Sequence, residues 1–455
     1  MLEAALRRAR AGRETAERDL FDLLTIPSVS GLPGHRADCA RAAGWLVDRF
    51  RAMGMDAMLA RAGGAPIVLA EWIGRRHAPT LTVYGHYDVH PADPLDGWRT
   101  PPFEPTVRDG RVYARGANDN KGHLLATLKA AEHTLAAGAP PVNMRFLVEG
   151  DCEVTGRSLA TFVRDNAEDL ATDVVLLCDG CFLAPDMPAV RTALRGVLAV
   201  EIEVDGPRAD LHPGIYGGVA PNPLQSLVTI LAGLKDRDGT VRIPGFYHDV
   251  RPPTGEEVST WRELDWLVDQ KRREIGAADL AGEPAFAPLE RNWARPTLDV
   301  HGVGGAGQSA HRTVIPARAG ARLSMRLVPD QDPAKIMAGL RQLIGELALP
   351  GTKGRLREVG RAPAVRIVAH DVVTVAATRA FKAAFGAGPV LISDGATITV
   401  AHELQRSLSC PMLVTGFGLP DDALHAPNER FSLAQYHRGT EMVMHLMNEL
   451  ARPVR

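Results

Sequence analysis

The sequence predicts an α/β fold in which a mostly parallel sheet carries helices on both faces and is interrupted by an inserted α+β domain. Three observations predict it. Apolar strand-like runs alternate with amphipathic helical segments in residues 1–194. In residues 195–365 the strands instead alternate with period two, which is typical of half-buried antiparallel strands. In residues 366–455 the buried-strand pattern returns, so the first and third segments are expected to form one domain.

The first segment supplies most of the predicted parallel sheet. Its start, Met1 to Asp19, is rich in Arg and Glu and indicates a helix. Short apolar runs predict buried strands, at Leu81–Tyr84, Asn143–Val148 and Asp173–Cys178. Apolar residues spaced three and four apart predict helices, at Lys121–Ala137 and Ser158–Asn166. Strands that alternate with helices favour a parallel sheet.

The second and third segments differ in the hydrophobic pattern of their strands. Val197–Val204 and Arg322–Val328 alternate apolar and polar residues, and helices are predicted at Pro223–Lys235 and Pro333–Leu347. These elements predict a small α+β layer. In the third segment the apolar runs predict two strands and a closing helix, at Val390–Ser393, Met412–Gly416 and Ala434–Leu450.

Composition excludes several classes of function. Lys plus Arg number 52 and Asp plus Glu number 54 in 455 residues, a net charge of −2, which argues against a nucleic-acid-binding protein and a polybasic membrane anchor. No apolar run approaches the roughly 18 residues of a membrane span. Five Cys without a C-x-x-C pair predict neither a disulfide framework nor a zinc ribbon. The N-terminus lacks an apolar signal sequence, so a reducing cytoplasm is expected.

Carboxylates and imidazoles recur where predicted buried strands end. They are His86 with Asp88, Asp119, Glu153, Asp179 and His425. Taken singly, each motif has a plain structural interpretation: the H-x-D pair as surface residues, and Asp119 as a helix cap. Together, two His and three carboxylates at successive strand ends suit a pair of zinc ions, with Asp88 fixing the tautomer of His86.

Longer motifs connect these residues to a known family. The chain resembles the dizinc peptidases and deacylases that include carnosinase, acetylornithine deacetylase and succinyl-diaminopimelate desuccinylase, most of all the bacterial carnosinase-type dipeptidases. The resemblance spans nearly the whole chain and is carried by GHYDVHPADPLDGW, PPFEPTVRDGRVYARGANDNKG, LHPGIYGG, IPGFYHDVRPP, RTVIPA, RLVP and GFGLPDDALHAPNERF. It implies a metal-dependent hydrolase that cleaves an amide bond in a small dipeptide or N-acyl amino acid with a free carboxylate.

The resemblance also implies roles for individual positions. His86 and Asp179 would bind one divalent metal, most simply zinc, Glu153 and His425 the other, and Asp119 would bridge the two. His212 would help to hold the scissile carbonyl oxygen from a partner subunit. Thr313 and Arg326 would bind the carboxylate of the substrate, for which a planar Arg fork is a natural partner.

The same resemblance predicts the assembly. The inserted domain would act as a lid and form a homodimer, and the alternating strand Val197–Val204 is expected to offer an edge that a partner could cover. Glu429 and Arg430, directly after His425, either support the site or form surface salt bridges, and the sequence leaves both interpretations open.

The chain departs from the family at the position of the general base. The family has E-G-x-E-E where this chain has Glu149-Gly150-Asp151-Cys152-Glu153, so Cys152 stands in place of the base. General acid–base catalysis contributes about 10² to 10⁴ in rate. Three interpretations stay open: a degraded or repurposed hydrolase that binds ligand silently, a thiolate that serves acyl transfer or condensation, and ordinary hydrolysis in which Asp151 or a water chain substitutes.

Two smaller departures concern backbone shape. The branch carries a Gly-Gly-Ser turn that cradles the substrate carboxylate, and here the run is Asp394-Gly395-Ala396-Thr397. The methyl group of Ala396 narrows the approach that a glycine permits, whereas Thr397 keeps the hydroxyl. Thr155 also stands where the family has glycine.

Overall fold

The computed structural model describes residues 1–154, 156–305, 313–368 and 371–452. The chain forms two compact units. The first consists of Met1–Thr192, Ile367–Ile392 and Thr399–Arg455, and the second of Ala193–Arg366 and Ser393–Ile398. The helices of residues 1–194 are α1 (Leu2–Ala11), α2 (Arg13–Leu24), α3 (Arg36–Ala52), α4 (His123–Ala136) and α5 (Arg157–Asp165). The strands of the same residues are β1 (Asp56–Ala60), β2 (Ile67–Trp72), β3 (Thr80–His86), β4 (Thr106–Arg108), β5 (Arg111–Tyr113), β6 (Asn143–Glu149), β7 (Val174–Cys178) and β8 (Ala189–Leu194).

The elements of residues 196–366 belong to the second unit. They are strands β9 (Gly196–Asp205), β10 (Thr297–Gly305), β11 (Arg318–Leu327), β12 (Lys353–Ala362) and β13 (Val365–Arg366), and helices α6 (Pro213–Tyr216), α7 (Pro223–Ala232), α8 (Gly255–Arg262), α9 (Asp265–Ile275), α10 (Pro288–Trp293) and α11 (Pro333–Leu347). The remaining elements are α12 (Val372–Phe385), β14 (Val390–Asp394), α13 (Ala401–Leu408), β15 (Met412–Thr415), β16 (Arg430–Ser432) and α14 (Leu433–Leu450).

A central sheet organises the first unit. Its strands follow the order β1-β2-β6-β3-β7-β15-β8, and β14 also pairs with β8. The four strands β6, β3, β7 and β15 are parallel to one another. Every residue of β6 and β7 is buried, which explains why β7 is uniformly apolar rather than alternating. Helix α14 packs against both α4 and α12, and α5 packs against β6. The predicted α/β class is confirmed.

The predicted helix at the N-terminus is wrong in one respect, because it consists of two helices. Helix α1 ends before Gly12 and α2 begins at Arg13. A Cβ at Gly12 would come within 3.3 Å of the His133 ring, so the glycine allows a close approach to α4. Among the described residues, no helix is long and apolar enough to cross a membrane.

The second unit contains an antiparallel sheet of order β10-β11-β9-β12. Alternate residues of β9 are buried with α7 and α11 in a separate core, so only one face of the sheet is covered. The expectation that Val197–Val204 forms an edge is wrong: β9 pairs with β11 on one side and with β12 on the other. Period-two alternation reports a half-buried face and carries no signal for an edge. In the part of the chain that the structure describes, the edges are β10 and β12.

Candidate metal centre

Five side chains converge at one edge of the central sheet of the first unit. His86 ends β3, Glu153 follows β6, and Asp179 follows β7. Asp119 lies just before α4, and His425 lies in the loop between β15 and β16. The carboxyl ends of parallel strands share one edge, so residues far apart in sequence meet there.

The five side chains form two overlapping groups. The ligand atoms of His86, Asp119 and Asp179 all lie within 4.8 Å of one another, and so do those of Asp119, Glu153 and His425. Nε2 of His86 is 3.0 Å from Oδ1 of Asp119 and 3.9 Å from Oδ2 of Asp179. Nε2 of His425 is 2.9 Å from Oδ2 of Asp119 and 3.4 Å from Oε1 of Glu153. Asp119 therefore presents one carboxylate oxygen to each group.

Asp88 is buried beside His86 and connects two of the segments that supply the group. Nδ1 of His86 lies 3.0 Å from the Asp88 carbonyl oxygen and 3.3 Å from Oδ1. The Asp88 carboxylate also accepts the backbone N–H groups of Cys152, at 3.3 Å, and of Glu153, at 3.0 Å. Donation from Nδ1 leaves the lone pair of Nε2 facing the cluster, which is the tautomer that a metal ligand requires.

The electrostatics of the cluster fit a cation. Burial raises the pKa of Asp179 to about 6, with a further contribution from the charge of Asp119. Burial opposes ionisation of Asp119 too, but hydrogen bonds from His425 and His86 hold its pKa below the usual range. Hydrogen bonds to Asp119 and Glu153 raise the pKa of His425 to about 10. The three neighbouring carboxylates thus favour the protonated, positively charged form of the imidazoles when no cation is bound. A donor set of two His and three carboxylates suits divalent metal ions.

Cys152 lies beside this cluster in a hydrogen-bonded group. Its Sγ is 3.4 Å from the Tyr84 hydroxyl, and the same hydroxyl donates to Oε1 of Glu149 at 2.7 Å. Burial raises the pKa of the Cys152 thiol well above its usual range. Asp151 belongs to neither group of ligand atoms found among the described residues, and Ser158 at the start of α5 donates to its Oδ2 at 2.6 Å. Thr155 lies outside the described residues.

Glu429, which the sequence left between a site role and a surface salt bridge, is a buried part of the centre. Its carboxylate accepts backbone N–H groups on both sides of Asn118, including that of Asp119 at 3.0 Å. Nothing in the local sequence could reveal this, because the donors are backbone groups some 310 positions away. Arg430 instead forms the salt bridge, 3.1 Å from the exposed Asp421.

The remaining site residues predicted from the sequence lie in the second unit. Nη1 of Arg326, on β11, donates to Oγ1 of Thr397 at 2.7 Å, and Thr397 in turn donates to the carbonyl oxygen of Arg195 at 2.7 Å. The carbonyl oxygen of Ala396 accepts the N–H of Arg195 at 3.1 Å. The structure thus brings Arg326, Ala396 and Thr397 together.

His212 and Thr313 lie on neighbouring segments of the same unit. Leu211 and Ile315 form an antiparallel bridge with two backbone hydrogen bonds of 2.9 Å, so the segments that carry His212 and Thr313 run side by side. Both side chains are exposed. Nδ1 of His212 accepts the Gly214 N–H at 3.1 Å and caps α6.

The chain is similar in sequence to several known proteins. Residues 82–449 match the model of peptidase family M20/M25/M40. The human β-Ala-His dipeptidase is 30% identical over 395 residues, which cover 85% of this chain and 78% of the relative. The Cys-Gly metallodipeptidase dug1 of Schizosaccharomyces pombe is 29% identical over 450 residues, 94% of each chain.

Solved structures extend the likeness to the fold. The di-peptidase Dug1p of Saccharomyces cerevisiae superposes with a TM-score of 0.87 at 26% identity, over 99% of this chain and 98% of that one. The metallo-carboxypeptidase Sso-CP2 of Sulfolobus solfataricus gives a TM-score of 0.88 at 30% identity, over 96% of this chain and 99% of that one.

Proposed function

Because the chain belongs to peptidase family M20/M25/M40, a family of metal-dependent hydrolases, we propose that it cleaves an amide bond in a small dipeptide or N-acyl amino acid with a free carboxylate. The observation that carries the proposal is the pair of side-chain groups joined through Asp119, each with ligand atoms within 4.8 Å of one another. The relatives named above, which include a β-Ala-His dipeptidase, a Cys-Gly metallodipeptidase and a metallo-carboxypeptidase, support a small peptide-like substrate.

Two divalent ions are assigned to the two groups. His86 and Asp179 would hold one ion, Glu153 and His425 would hold the other, and Asp119 would contribute one oxygen to each. Imidazole and carboxylate ligands are compatible with zinc, which is the metal we propose. Bound ions would polarise the scissile carbonyl group and provide a nucleophile at neutral pH.

Other side chains of the protein would orient a metal ligand and bind the substrate. Asp88 keeps His86 in the tautomer whose Nε2 faces the cluster. Arg326, Thr397 and Thr313 would bind the substrate carboxylate, and Arg326 is hydrogen-bonded to Thr397. His212 would reach into the partner subunit and hold the carbonyl oxygen of the scissile amide there, since among the described residues its exposed ring makes only a capping bond to Gly214.

The test of this proposal is a substrate panel. Protein reconstituted with zinc is incubated with dipeptides and N-acyl amino acids, and the products are identified by mass spectrometry. Cleavage that disappears when a chelator removes the metal is the expected result. Undiminished cleavage by fully metal-depleted protein would contradict the proposal, as would fewer than one equivalent of bound zinc after reconstitution.

Replacing Arg326 by Lys is expected to raise KM for substrates with a free carboxylate, so that kcat/KM falls about tenfold, because a bidentate charged hydrogen bond becomes a single point contact. Substrates whose carboxylate is amidated should lose little. Arg322→Lys is the matched control, since Arg322 lies on the same face of β11 but its side chain is 77% exposed and pairs with Glu201. Equal losses for both kinds of substrate would remove Arg326 from the carboxylate site.

We also propose a homodimer formed through the second unit. Several large apolar side chains on and around α6 and α7 are exposed, among them Ile215 at 70%, Val219 at 84% and Val228 at 56%. An apolar surface of this kind marks an interaction site. Its position next to His212 agrees with a histidine that acts in the partner subunit.

Light scattering at micromolar concentration is expected to give the mass of a dimer. The double variant Ile215→Asp, Val219→Asp should shift the equilibrium toward the monomer, because it places charges in an apolar interface. Val359→Asp is a suitable control, since Val359 is 50% exposed and lies on the edge strand β12, outside α6 and α7. A monomeric wild-type protein would contradict both the dimer and the proposed role of His212.

Cys152 favours a second candidate function. A thiol that stands where the family has its base could serve acyl transfer or condensation, or could mark a protein that binds its ligand without turnover. The Cys152→Ser variant distinguishes these cases. It should leave a silent ligand-binding protein unchanged in ligand affinity and abolish a reaction that depends on the thiolate, because a serine hydroxyl is a far weaker nucleophile.

A further inference from the structure

Glu429 lies at the junction of two loops that carry proposed metal ligands. It is fully buried, and it precedes β16 by one residue. Oε1 accepts the backbone N–H groups of Asn118 at 2.9 Å and Asp119 at 3.0 Å. Oε2 accepts the N–H of Gly116 at 3.0 Å and Nη1 of Arg115 at 2.8 Å. All four donors belong to residues 115–119, so one side chain fixes the loop that ends in Asp119.

The backbone of this loop needs an acceptor from outside. Asp119 has φ −108° and ψ 91°, which interrupts the helical path toward α4. Gly116 has φ 83°, and a Cβ there would collide with Val89. The N–H groups of Gly116, Asn118 and Asp119 point to Glu429, and a buried N–H without an acceptor is costly. The carboxylate of Glu429 provides that acceptor.

The second loop, which carries His425, is held in a conformation that its residues do not favour. Ala423, His425 and Asn428 have φ values of 57°, 58° and 63°. The left-handed region is unfavourable for non-glycine residues, so surrounding contacts must maintain it. The side chain of Asn428 accepts the Arg99 N–H at 2.9 Å and donates to the Gly97 carbonyl oxygen at 2.8 Å.

The two loops are linked directly at both ends of the His425 segment. At the C-terminal end of that segment, the backbone carbonyl oxygen of Glu429 accepts the Ala114 N–H at 3.1 Å, in addition to the side-chain bonds. At its N-terminal end, Nδ2 of Asn118 donates to Oδ2 of Asp422 at 3.0 Å. Any shift of one loop is therefore transmitted to the other.

We infer that Glu429 is a positioning residue, whose carboxylate fixes the backbone of Asp119 and anchors the His425 loop so that both ligands keep their relative placement. This inference rests on the proposed metal roles of Asp119 and His425. A purely structural alternative exists, in which Glu429 only neutralises the buried guanidinium of Arg115. That alternative affects folding stability and leaves the metal affinity of the folded protein unchanged.

Two variants separate these roles. Glu429→Gln keeps the shape but turns one acceptor into a donor that opposes the loop N–H groups. Glu429→Asp keeps the charge opposite Arg115 and withdraws the oxygens from the loop by one methylene. Glu441→Gln is the matched control, because Glu441 accepts two bonds from Arg10, at 3.0 and 2.7 Å, and has no contact with either loop among the described hydrogen bonds.

The measurements are zinc affinity by competition with a chromophoric chelator, the absorption spectrum of the cobalt-substituted protein, and thermal unfolding of the metal-free protein. Both Glu429 variants are expected to bind zinc about 10- to 100-fold more weakly and to show an altered cobalt spectrum, as for other residues that orient metal ligands. The control should retain wild-type affinity and spectrum. If Glu429→Gln does not fold, Glu429→Asp decides the question alone.

Wild-type zinc affinity in a folded Glu429 variant would overturn the inference, even if that variant melts at a lower temperature. Failure of the wild-type protein itself to bind zinc would instead overturn the proposed function. The first result is observed in a Glu429 variant and the second in the wild-type protein, so the two outcomes are distinguishable.

Discussion

Replacing Cys152 by Glu is expected to raise the rate of dipeptide or N-acyl amino acid hydrolysis by about 10² or more, the low end of what a general base contributes. The five proposed ligands are already grouped, and Cys152 is held beside them through its N–H bond to Asp88. A carboxylate at this position could accept a proton from the attacking water and pass it to the leaving amine. A buried thiol whose pKa is raised well above its usual range is a poor acceptor near neutral pH.

The outcome is measured as kcat/KM on the substrate panel at matched zinc occupancy. Cys178→Glu is not a useful control, because Cys178 is buried inside β7 and the change would unfold the sheet. Cys410→Glu is better, since Cys410 is only partly buried and lies outside the metal centre. If Cys152→Glu binds two equivalents of zinc and gains no activity on any substrate, the loss of the base is not what limits hydrolysis, and the Ala396 turn becomes the next residue to restore.

Replacing Asp119 by Asn is expected to weaken metal binding at both sites and to lower kcat/KM by more than about 10². This loss is larger than the loss expected when a residue that only orients a metal ligand is replaced. The reason is its shared position. One carboxylate oxygen lies 3.0 Å from the His86 ring nitrogen and the other 2.9 Å from that of His425. An amide presents a single neutral oxygen, and its NH₂ group is a donor that cannot bind a cation.

Zinc stoichiometry and affinity are the readouts for this variant. Asp179→Asn should weaken mainly the site that contains His86, whereas Asp119→Asn should affect both. Asp421→Asn serves as the control, because Asp421 lies in the His425 loop but its side chain is 54% exposed and pairs with Arg111. Loss of only one equivalent in Asp119→Asn would show that Asp119 serves a single site.

The sequence predicted the four parallel strands β3, β6, β7 and β15 of the central sheet because these buried strands carry their signal locally, whereas β1, β2 and β8 were not predicted. Leu176 and Leu177 belong to a run that is buried on both faces, and β7 occupies almost the range expected from that run. The same logic placed carboxylates and imidazoles at strand ends, and parallel strands bring such ends together whatever their separation in sequence. The Pro at the start of α11 and its apolar spacing likewise predicted that helix from Pro333 to Leu347.

What the sequence could not predict depends on backbone groups and on neighbours. Glu429 accepts backbone N–H groups, which every residue except proline has, so no residue type in the sequence pointed to its partners or to a buried role. Alternation in Val197–Val204 showed that one face is covered but could not distinguish a central strand from an edge. The position of Cys152 came from the resemblance, whereas its contact with Tyr84 requires the folded strands β3 and β6 to lie side by side.

The free edge of β12 has a consequence for the behaviour of the protein at high concentration. An exposed strand of ten residues offers unpaired backbone groups that could template addition of another chain. This strand, however, carries four basic side chains, Lys353, Arg355, Arg357 and Arg361. Its pairing with β9 is also irregular between Glu358 and Gly360. Three of these side chains pair with the carboxylates of Asp205, Glu201 and Glu358, so the edge is lined by charged groups. Charged side chains and a kinked edge both oppose strand-to-strand growth, which protects this edge against seeding fibrillar aggregates.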